Sequence, residues 1–167
     1  RIGAEEPSGN SYSYSNAGYN TLAAIIEVVT GSYEEHLRST FYEPLRMGDS
    51  CNHESVADHT RMSGVFRQAD NGDWEVHWKP GDDPDWPFPR GSGGMVSTAK
   101  DYATFCHMLL NRGSFNGRRI LDEGLVLQAT NPQTKWISAA DRYGLGWAVS
   151  EDGGTYSHSG SDGTMVW

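Results

Sequence analysis

The chain is predicted to have an α+β fold, because two hydrophobic periodicities follow one another along it. Apolar residues recur at helical spacing up to about residue 130, and from Leu145 the spacing becomes two, as in a half-buried strand. The 167 residues suffice for one domain with a hydrophobic core. With 20 glycines, 7 prolines and 37% hydrophobic residues, the composition favours a loop-rich globular piece over a compact helical bundle.

Two helices are predicted in the first part of the chain. The first follows Asn16 and stops at Gly31. Its apolar stripe consists of Tyr19, Leu22, Ala23 and Ile26, widened by Ile25 and Val29. Ser32, with Glu35 three residues later, forms a capping box that opens the second helix, and Pro44 lies near its end. The buried face of the second helix is predicted to consist of Tyr33, Leu37 and Phe41.

The region 46–96 is predicted to be mostly irregular, with a hairpin near Asn71-Gly72, because Asn-Gly suits a type I′ turn. Its tryptophans, Trp74, Trp78 and Trp86, favour an ordered excursion over disorder. Two interpretations of this excursion stay open. It could stack a sugar or line a substrate rim, or it could simply pack over the core.

Two further helices and a hairpin are predicted after residue 96. The third helix starts at Ser97 or Thr98 and ends by Gly113, and its apolar face consists of Tyr102, Phe105, Cys106 and Leu109. The fourth runs from about Asp122 to Thr130. A strand then carries Leu145, Trp147 and Val149, and a turn at 151–154 leads to a partner strand carrying Tyr156 and His158.

Charge and composition exclude several classes of function. The net charge of -9 and the pI near 5.0 argue against nucleic-acid binding, which requires a basic patch. Cys51 and Cys106 match no metal motif, no cofactor or metal site is expected, and two partly buried thiols are favoured over a disulfide. No apolar run approaches the roughly 20 residues of a membrane span. No signal peptide is visible, and because the chain opens with Arg1 it is expected to be an excerpt from a longer protein.

Tyr14 and Asn16 form the first candidate site motif. A tyrosine near cations can shuttle a proton in acyl transfer, and a carboxamide two residues later can both donate to and accept from a substrate amide. Taken alone, Tyr-x-Asn is better explained as a polar helix entry, with Ser15 or Asn16 as the N-cap.

The second candidate motif is the segment His158-Ser159-Gly160-Ser161. His158 could supply a proton-dependent positive charge, Gly160 allows close approach of a substrate, and the Ser161 N–H could point at an oxyanion. Taken alone, this segment is equally consistent with a glycine-rich turn that exposes a histidine.

Three segments in the expected order carry a family resemblance. They resemble the serine β-lactamase-like superfamily. The segments are YSNAGYNTLAAIIEVVTGSYEEHLRSTFYEPLRMG at 14–48, GGMVSTAKDYATFCHMLL at 93–110 and HSGSDGTMVW at 158–167. That superfamily includes class C β-lactamases, D-alanyl-D-alanine carboxypeptidases and related esterases. Its motifs are Ser-x-x-Lys, Tyr-x-Asn and Lys-x-Gly or His-x-Gly.

The resemblance implies a role for each matching residue. Tyr14 would be the general base or proton relay and Asn16 the contact to the substrate amide. His158 would take the position of the cation, where many β-lactamases have lysine, and β-lactam hydrolysis is less expected for that reason. Ser159 and Gly160 would line the substrate site, and the Ser161 N–H would form half of the oxyanion hole. The serine nucleophile would lie upstream of Tyr14.

The resemblance also implies the architecture: an antiparallel sheet flanked by helices with a helical subdomain, here in a partial version. Residues 1–167 would be a single partial domain. A helical subdomain would span about 14–130, including the irregular excursion at 46–96, and the sheet would start at about 143–167. A periplasmic or extracellular location is favoured by the resemblance, and a cytoplasmic one stays possible.

Ser97 and Lys100 are formally a Ser-x-x-Lys pair, but we interpret them as a decoy. At 100° per residue both point away from the apolar stripe of their helix, whereas a lysine that activates a nucleophile must be enclosed. We interpret Ser97 or Thr98 as an N-cap and Lys100 as a surface residue.

The expected function is that of a part of a serine hydrolase that acts through an acyl-enzyme. The substrate would be a D-Ala-D-Ala-type peptide, a β-lactam or a small ester, and the chain alone is expected to be inactive for want of the nucleophile. The alternative is a non-catalytic module that binds peptidoglycan or a protein partner, using an open sheet edge or the tryptophan-rich segment 74–90.

Overall fold

The computed structural model describes residues 7, 12–52, 58–82, 88, 90–134 and 142–160. In this part of the chain the helices are α1 (Asn16–Thr30), α2 (Tyr33–Leu37), α3 (Glu43–Leu45), α4 (Ala99–Leu110) and α5 (Glu123–Thr130). A π-helical turn, Arg38–Tyr42, joins α2 to α3. The strands are β1 (Val65–Gln68), β2 (Trp74–Trp78), β3 (Ser114–Phe115), β4 (Arg118–Arg119), β5 (Ala148–Val149) and β6 (Tyr156–Ser157), paired as three antiparallel hairpins.

The helix boundaries follow local capping chemistry, as predicted. The Ser15 hydroxyl accepts the N–H of Gly18, and Gly31 ends α1 in the left-handed conformation, with φ of 88°. The Ser32 hydroxyl accepts the N–H of Glu35, which confirms the predicted start of α2. Thr98 is the N-cap of α4. These caps fix the point at which each helix begins, and with it the position of the residues just before the helix.

The predicted hairpin at Asn71-Gly72 is present as β1–β2, but its turn differs from the prediction. A type I′ turn needs positive φ at both central residues, and here only Gly72 has it. The turn closes instead between Gly72 and Ala69, and the Ala69 N–H then bonds to the carbonyl oxygen of Asp73. The two-residue turn with positive φ at both positions is found elsewhere, at Asn116-Gly117 between β3 and β4, a hairpin that the sequence analysis missed.

The core lies between the α2–α3 segment, α4 and α5. Its buried residues are Tyr42, Leu45, Met47, Met108, Leu109 and Val126. Around them pack half-buried side chains that include Leu37, Phe41 and Phe105. The predicted faces of the second and third helices are therefore largely correct, although the prediction omitted Met108, one of the most deeply buried residues.

The apolar stripe predicted for the first helix is wrong in part. Only Ala23 is fully buried, with Tyr19 and Ile26 half-buried beside it. Leu22, Ile25 and Val29 lie on the exposed side of α1. The sequence pattern correctly reports apolar residues on this side, but no described residue covers them.

Two glycines permit close backbone contacts, one with α1 and one with α5. A Cβ on Gly91 would lie 2.2 Å from the carbonyl oxygen of Tyr19, so α1 packs directly on the backbone of the segment that precedes α4. Asn20 strengthens this contact, because its side-chain oxygen accepts the N–H of Ser92. Likewise, a Cβ on Gly144 would lie 2.1 Å from the carbonyl oxygen of Ala129, so the loop before β5 packs on the end of α5.

The last hairpin is shorter than predicted. Strand β5 contains only Ala148 and Val149, and Leu145 is exposed instead of lying on a strand. The predicted turn at 151–154 joins β5 to β6, and His158 follows β6 directly. Trp147 packs edge-to-face on Tyr156 with ring centroids 5.4 Å apart, so aromatic packing fixes the two arms of the hairpin.

Two further predictions concern cysteines and membrane spans. Cys51 and Cys106 are half-buried thiols and form no disulfide with one another. Among the helices of the described residues, none is long and apolar enough to span a bilayer.

Candidate active site

Tyr14 and His158, from opposite ends of the sequence, lie side by side in the structure. Their ring centroids are 6.3 Å apart. Both rings line a cleft of about 380 Å³, and the other lining residues are Tyr143, Ala148, Ser159 and Gly160. The structure thus places four of the six predicted site residues around one cavity.

Separate local contacts position the lining residues on the two sides of the cleft. On one side, Tyr14 immediately precedes the N-cap residue Ser15, so the start of α1 fixes its backbone. On the other side, the β5–β6 hairpin carries His158, and Asp152 stabilises its turn. The Ser150 hydroxyl and the Gly154 N–H both donate to the Asp152 carboxylate, and these bonds hold the pKa of that group below its usual range.

Tyr143 is a lining residue that the sequence analysis missed. Its N–H donates to the Thr134 hydroxyl at 2.8 Å, and its carbonyl oxygen accepts the N–H of Gln133 at 2.7 Å. Its ring lies edge-to-face with His158 at 6.4 Å and packs on Tyr12 at 5.2 Å. The sequence offered two signals, a threonine at position 134 and an aromatic residue shortly before a predicted strand. Neither of them identifies a residue that lines the cleft.

The cleft is aromatic and weakly charged. Burial raises the pKa of the Tyr143 phenol, and the nearby phenols of Tyr12, Tyr19 and Tyr14 raise it further. Burial, followed by the phenol of Tyr14, raises the pKa of Tyr19. Among the described lining residues, His158 is the only one that can carry a positive charge.

The two remaining predicted site residues are placed differently. Asn16 is the first residue of α1, is exposed, and is not among the residues that line the cleft. In the sequence it lies two residues after the lining residue Tyr14. Ser161 lies outside the described residues.

Ser97 and Lys100 do not form a nucleophile–base pair in the structure. The Ser97 hydroxyl lies 2.8 Å from the Ser50 hydroxyl, and Lys100 is exposed on α4. The interpretation of Thr98 as the helix cap and of Lys100 as a surface residue is confirmed. Within the described part of the chain, no group of three or more His, Cys, Asp or Glu side chains is arranged to hold a metal ion.

The profile of the Beta-lactamase family matches the chain over residues 1–167. The chain belongs to this family. Penicillin-binding protein 4 of Amycolatopsis lactamdurans is 29% identical over 174 residues, which are 97% of this chain and 44% of the relative. The helices and antiparallel hairpins are accordingly a partial version of the β-lactamase/transpeptidase fold.

Solved structures agree with this assignment. The penicillin-binding protein of Bacillus halodurans superposes with a TM-score of 0.69 at 19% identity, over 92% of this chain and 44% of that one. The D-amino acid amidase of Ochrobactrum anthropi SV3, complexed with D-phenylalanine, superposes with a TM-score of 0.64 at 27% identity, over 92% of this chain and 46% of that one. The chain thus spans less than half the length of the proteins that it matches.

Proposed function

We propose that this chain is part of a serine hydrolase that works through an acyl-enzyme. The observation that carries the proposal is the contact between Tyr14 and His158 in one cleft. A phenol beside an imidazole can pass a proton to or from a reacting oxygen or nitrogen, and family membership makes acyl transfer the reaction that this pair would serve.

Each residue has a proposed role in this reaction. Tyr14 relays the proton between the nucleophile and the leaving group. His158, when protonated, stabilises the Tyr14 phenolate or a substrate anion. Gly160 and Ser159 leave room for the substrate backbone, Asn16 contacts the substrate amide from the rim, and the N–H of Ser161 donates to the oxyanion. In this proposal residues 1–167 are one partial domain, with a helical subdomain at about 14–130 and the start of the sheet at about 143–167.

The proposed substrate is a D-amino acid amide, a D-Ala-D-Ala-type peptide, a small ester or a β-lactam. The similarity to a D-amino acid amidase adds the simple amide to the substrates expected from the sequence. A cleft with aromatic walls can bind any of these substrates, because each presents a carbonyl carbon and a compact side chain.

The chain alone is proposed to lack the nucleophile, and covalent labelling tests this. Incubation with a fluorescent penicillin or a fluorophosphonate should leave the chain unlabelled. An adduct on any serine would overturn the proposed inactivity. An adduct on Ser97 would also overturn the interpretation of Ser97 and Lys100 as a decoy.

The site itself can be tested by ligand binding without turnover. In ligand-observed NMR titrations, D-phenylalanine amide and N-acetyl-D-Ala-D-Ala should each bind the chain, and in the parent chain they should also shift the signals of the His158 ring. The Tyr14→Phe and His158→Gln variants should weaken this binding. Tyr33→Phe, which changes a half-buried phenol outside the cleft, serves as the control and should leave binding unchanged. Equal binding by all variants would refute the assignment of the cleft.

A binding role without catalysis is the second candidate function. It is favoured by the hydrogen-bonded state of Ser97 and the exposure of Lys100, which leave the described residues without a Ser-x-x-Lys pair suited to catalysis. Retention on immobilised peptidoglycan, together with the absence of turnover in the longest form of the protein, would support this second function over the first.

A further inference from the structure

Four aromatic rings, two from each end of the chain, form one continuous row. The order of this aromatic row is Tyr12, Tyr143, His158 and Tyr14, and the successive ring centroids are 5.2, 6.4 and 6.3 Å apart. The two parts of the chain therefore meet through two ring contacts. The contact of Tyr14 with His158 is the pair to which the proposed function gives the proton relay, whereas the contact of Tyr12 with Tyr143 has no role in that chemistry.

Backbone pairing fixes Tyr143 relative to His158. Tyr143 forms an antiparallel bridge with Ala148, and Ala148 pairs with Ser157 in the β5–β6 hairpin, so these three residues lie side by side across three backbone segments. His158 follows Ser157 directly. The hydrogen-bonded backbone thus sets the spacing of the two rings on this side of the cleft.

The other half of the aromatic row belongs to the segment before α1. Tyr12 and Tyr14 are two residues apart in this non-helical segment, and side chains at that spacing in an extended chain project to the same side. Tyr14 is 55% exposed, so burial alone does not hold its ring in place. Tyr12 is half-buried and makes the closest ring contact of the row, the one with Tyr143. Tyr12 is therefore the better anchored of the two tyrosines.

Packing, not charge, holds this junction together. The phenol oxygen of Tyr19 lies 3.3 Å from the position that a Cβ on Gly146 would take, so α1 also packs against the loop before β5. Burial raises the pKa of the Tyr143 phenol, which is therefore neutral near pH 7. Aromatic pairs at these centroid distances favour defined tilted or edge-to-face geometries. The ring surfaces can thus specify how the segment before α1 lies against the hairpin.

We propose that Tyr12 and Tyr143 are positioning residues: their ring contact fixes the segment before α1 against the β5–β6 hairpin and so keeps Tyr14 beside His158. What the pair of Tyr14 and His158 does rests on the proposed function, whereas the contact that holds the pair in place is independent of it. Tyr12 does not line the cleft, so its effect on a bound ligand must pass through its neighbours.

Tyr12→Leu in the isolated chain tests the positioning role. NOEs between the Tyr14 and His158 rings, measured by NMR without ligand, report their contact directly. Removal of an aromatic pair should shift the equilibrium between contacting and separated rings roughly 2- to 12-fold towards separation. The NOEs should weaken accordingly, and Tyr12→Phe, which keeps the ring, should restore them. Tyr143→Leu and Tyr143→Phe should behave in the same way, so either residue can serve if a variant of the other does not fold.

A matched control breaks an aromatic pair elsewhere. Phe41 and Phe105 lie edge-to-face in the core with ring centroids 6.1 Å apart. Phe41→Leu should lower the melting temperature but leave the NOEs between Tyr14 and His158 unchanged, which separates positioning from a general loss of stability. If the NOEs persist in the leucine variants, or if phenylalanine fails to restore them, the proposal is wrong.

Ligand-observed titration with N-acetyl-D-Ala-D-Ala separates this inference from the proposed function. Where the parent chain binds the peptide, Tyr12→Leu should weaken binding by up to the same factor as the ring equilibrium. A parent chain that loses the NOEs in Tyr12→Leu but binds no peptide would support the positioning residues and argue against the hydrolase. A Tyr12→Leu variant that loses the NOEs yet binds as tightly as the parent would overturn the positioning role.

Discussion

Gly91→Ala tests whether α1 packs directly on the segment before α4. A Cβ at position 91 would lie 2.2 Å from the carbonyl oxygen of Tyr19, whereas real Cβ atoms essentially never come within 3.0 Å of such a neighbour. The helix or the segment must therefore move by about 0.8 Å, the difference between these two distances. Neither side of the contact is a flexible side chain, so the cost belongs at the upper end of the overpacking range, about 2–3 kcal/mol.

Thermal melts followed by circular dichroism would measure this cost. For a chain of this size the melting temperature should fall by roughly 5–10 °C. Gly48→Ala is the matched control, because Gly48 does not have positive φ and a Cβ there meets nothing within 4 Å. The control should be neutral or stabilising by up to about 1 kcal/mol, since alanine restricts the unfolded chain. If Gly91→Ala melts within a degree of the parent, the close packing of α1 on this segment is refuted.

Three further perturbations should have distinct signatures. The Asp101 carboxylate is buried, and one of its oxygens accepts both the Ser50 hydroxyl and the N–H of Asp49. In urea melts Asp101→Ala should cost about 3 kcal/mol, whereas Asp101→Asn, which keeps an acceptor oxygen, should cost only about 1 kcal/mol. Equal losses would contradict this. Ser15→Ala should cost about 1 kcal/mol and speed amide exchange in the first turn of α1, while Ser15→Asp should not. Burial raises the pKa of Tyr42, so the stability that its neutral phenol contributes is complete below about pH 10 and is lost as the pH rises further. Tyr42→Phe removes the hydrogen bond to Asn52 and should therefore lower the free energy of unfolding by about 1 kcal/mol at pH 7. From pH 10 to 11 the free energy of unfolding should fall less steeply in the variant than in the parent.

The sequence predicted best those features that depend on a few adjacent residues. The cap at Ser32 and the left-handed stop at Gly31 were correct, because each is decided by hydrogen bonds within one turn of helix. The turn at Asn71-Gly72 was predicted with the wrong geometry, although the same dipeptide at Asn116-Gly117 adopts it. The same two residues thus form different turns, so the pairing of the flanking strands must contribute to the choice.

The candidate site was predicted through the family resemblance more than through local pattern. Tyr14 and His158 were each weak signals alone, and the structure brings them together by two unrelated contacts, the start of α1 and the end of β6. Tyr143 was missed because its place depends on Thr134 and on packing against Tyr12, which no periodicity encodes. Long-range packing thus accounts for the lining residue that motif reasoning did not find.

The error in the stripe of α1 and the form of the cleft have one physical explanation. The sequence predicted a wide apolar stripe on α1, and the structure shows its members Leu22, Ile25 and Val29 exposed to solvent. The same helix begins at a cleft whose described lining has a phenol and an imidazole but no nucleophile paired with a base. A hydrophobic pattern reports which residues of a helix are apolar, whereas burial and the assembly of a site depend on contacts between segments that are distant in sequence. The described contacts bury Ala23 on one side of α1 and leave Val29 exposed on the other, so the pattern alone overestimates the width of the buried stripe.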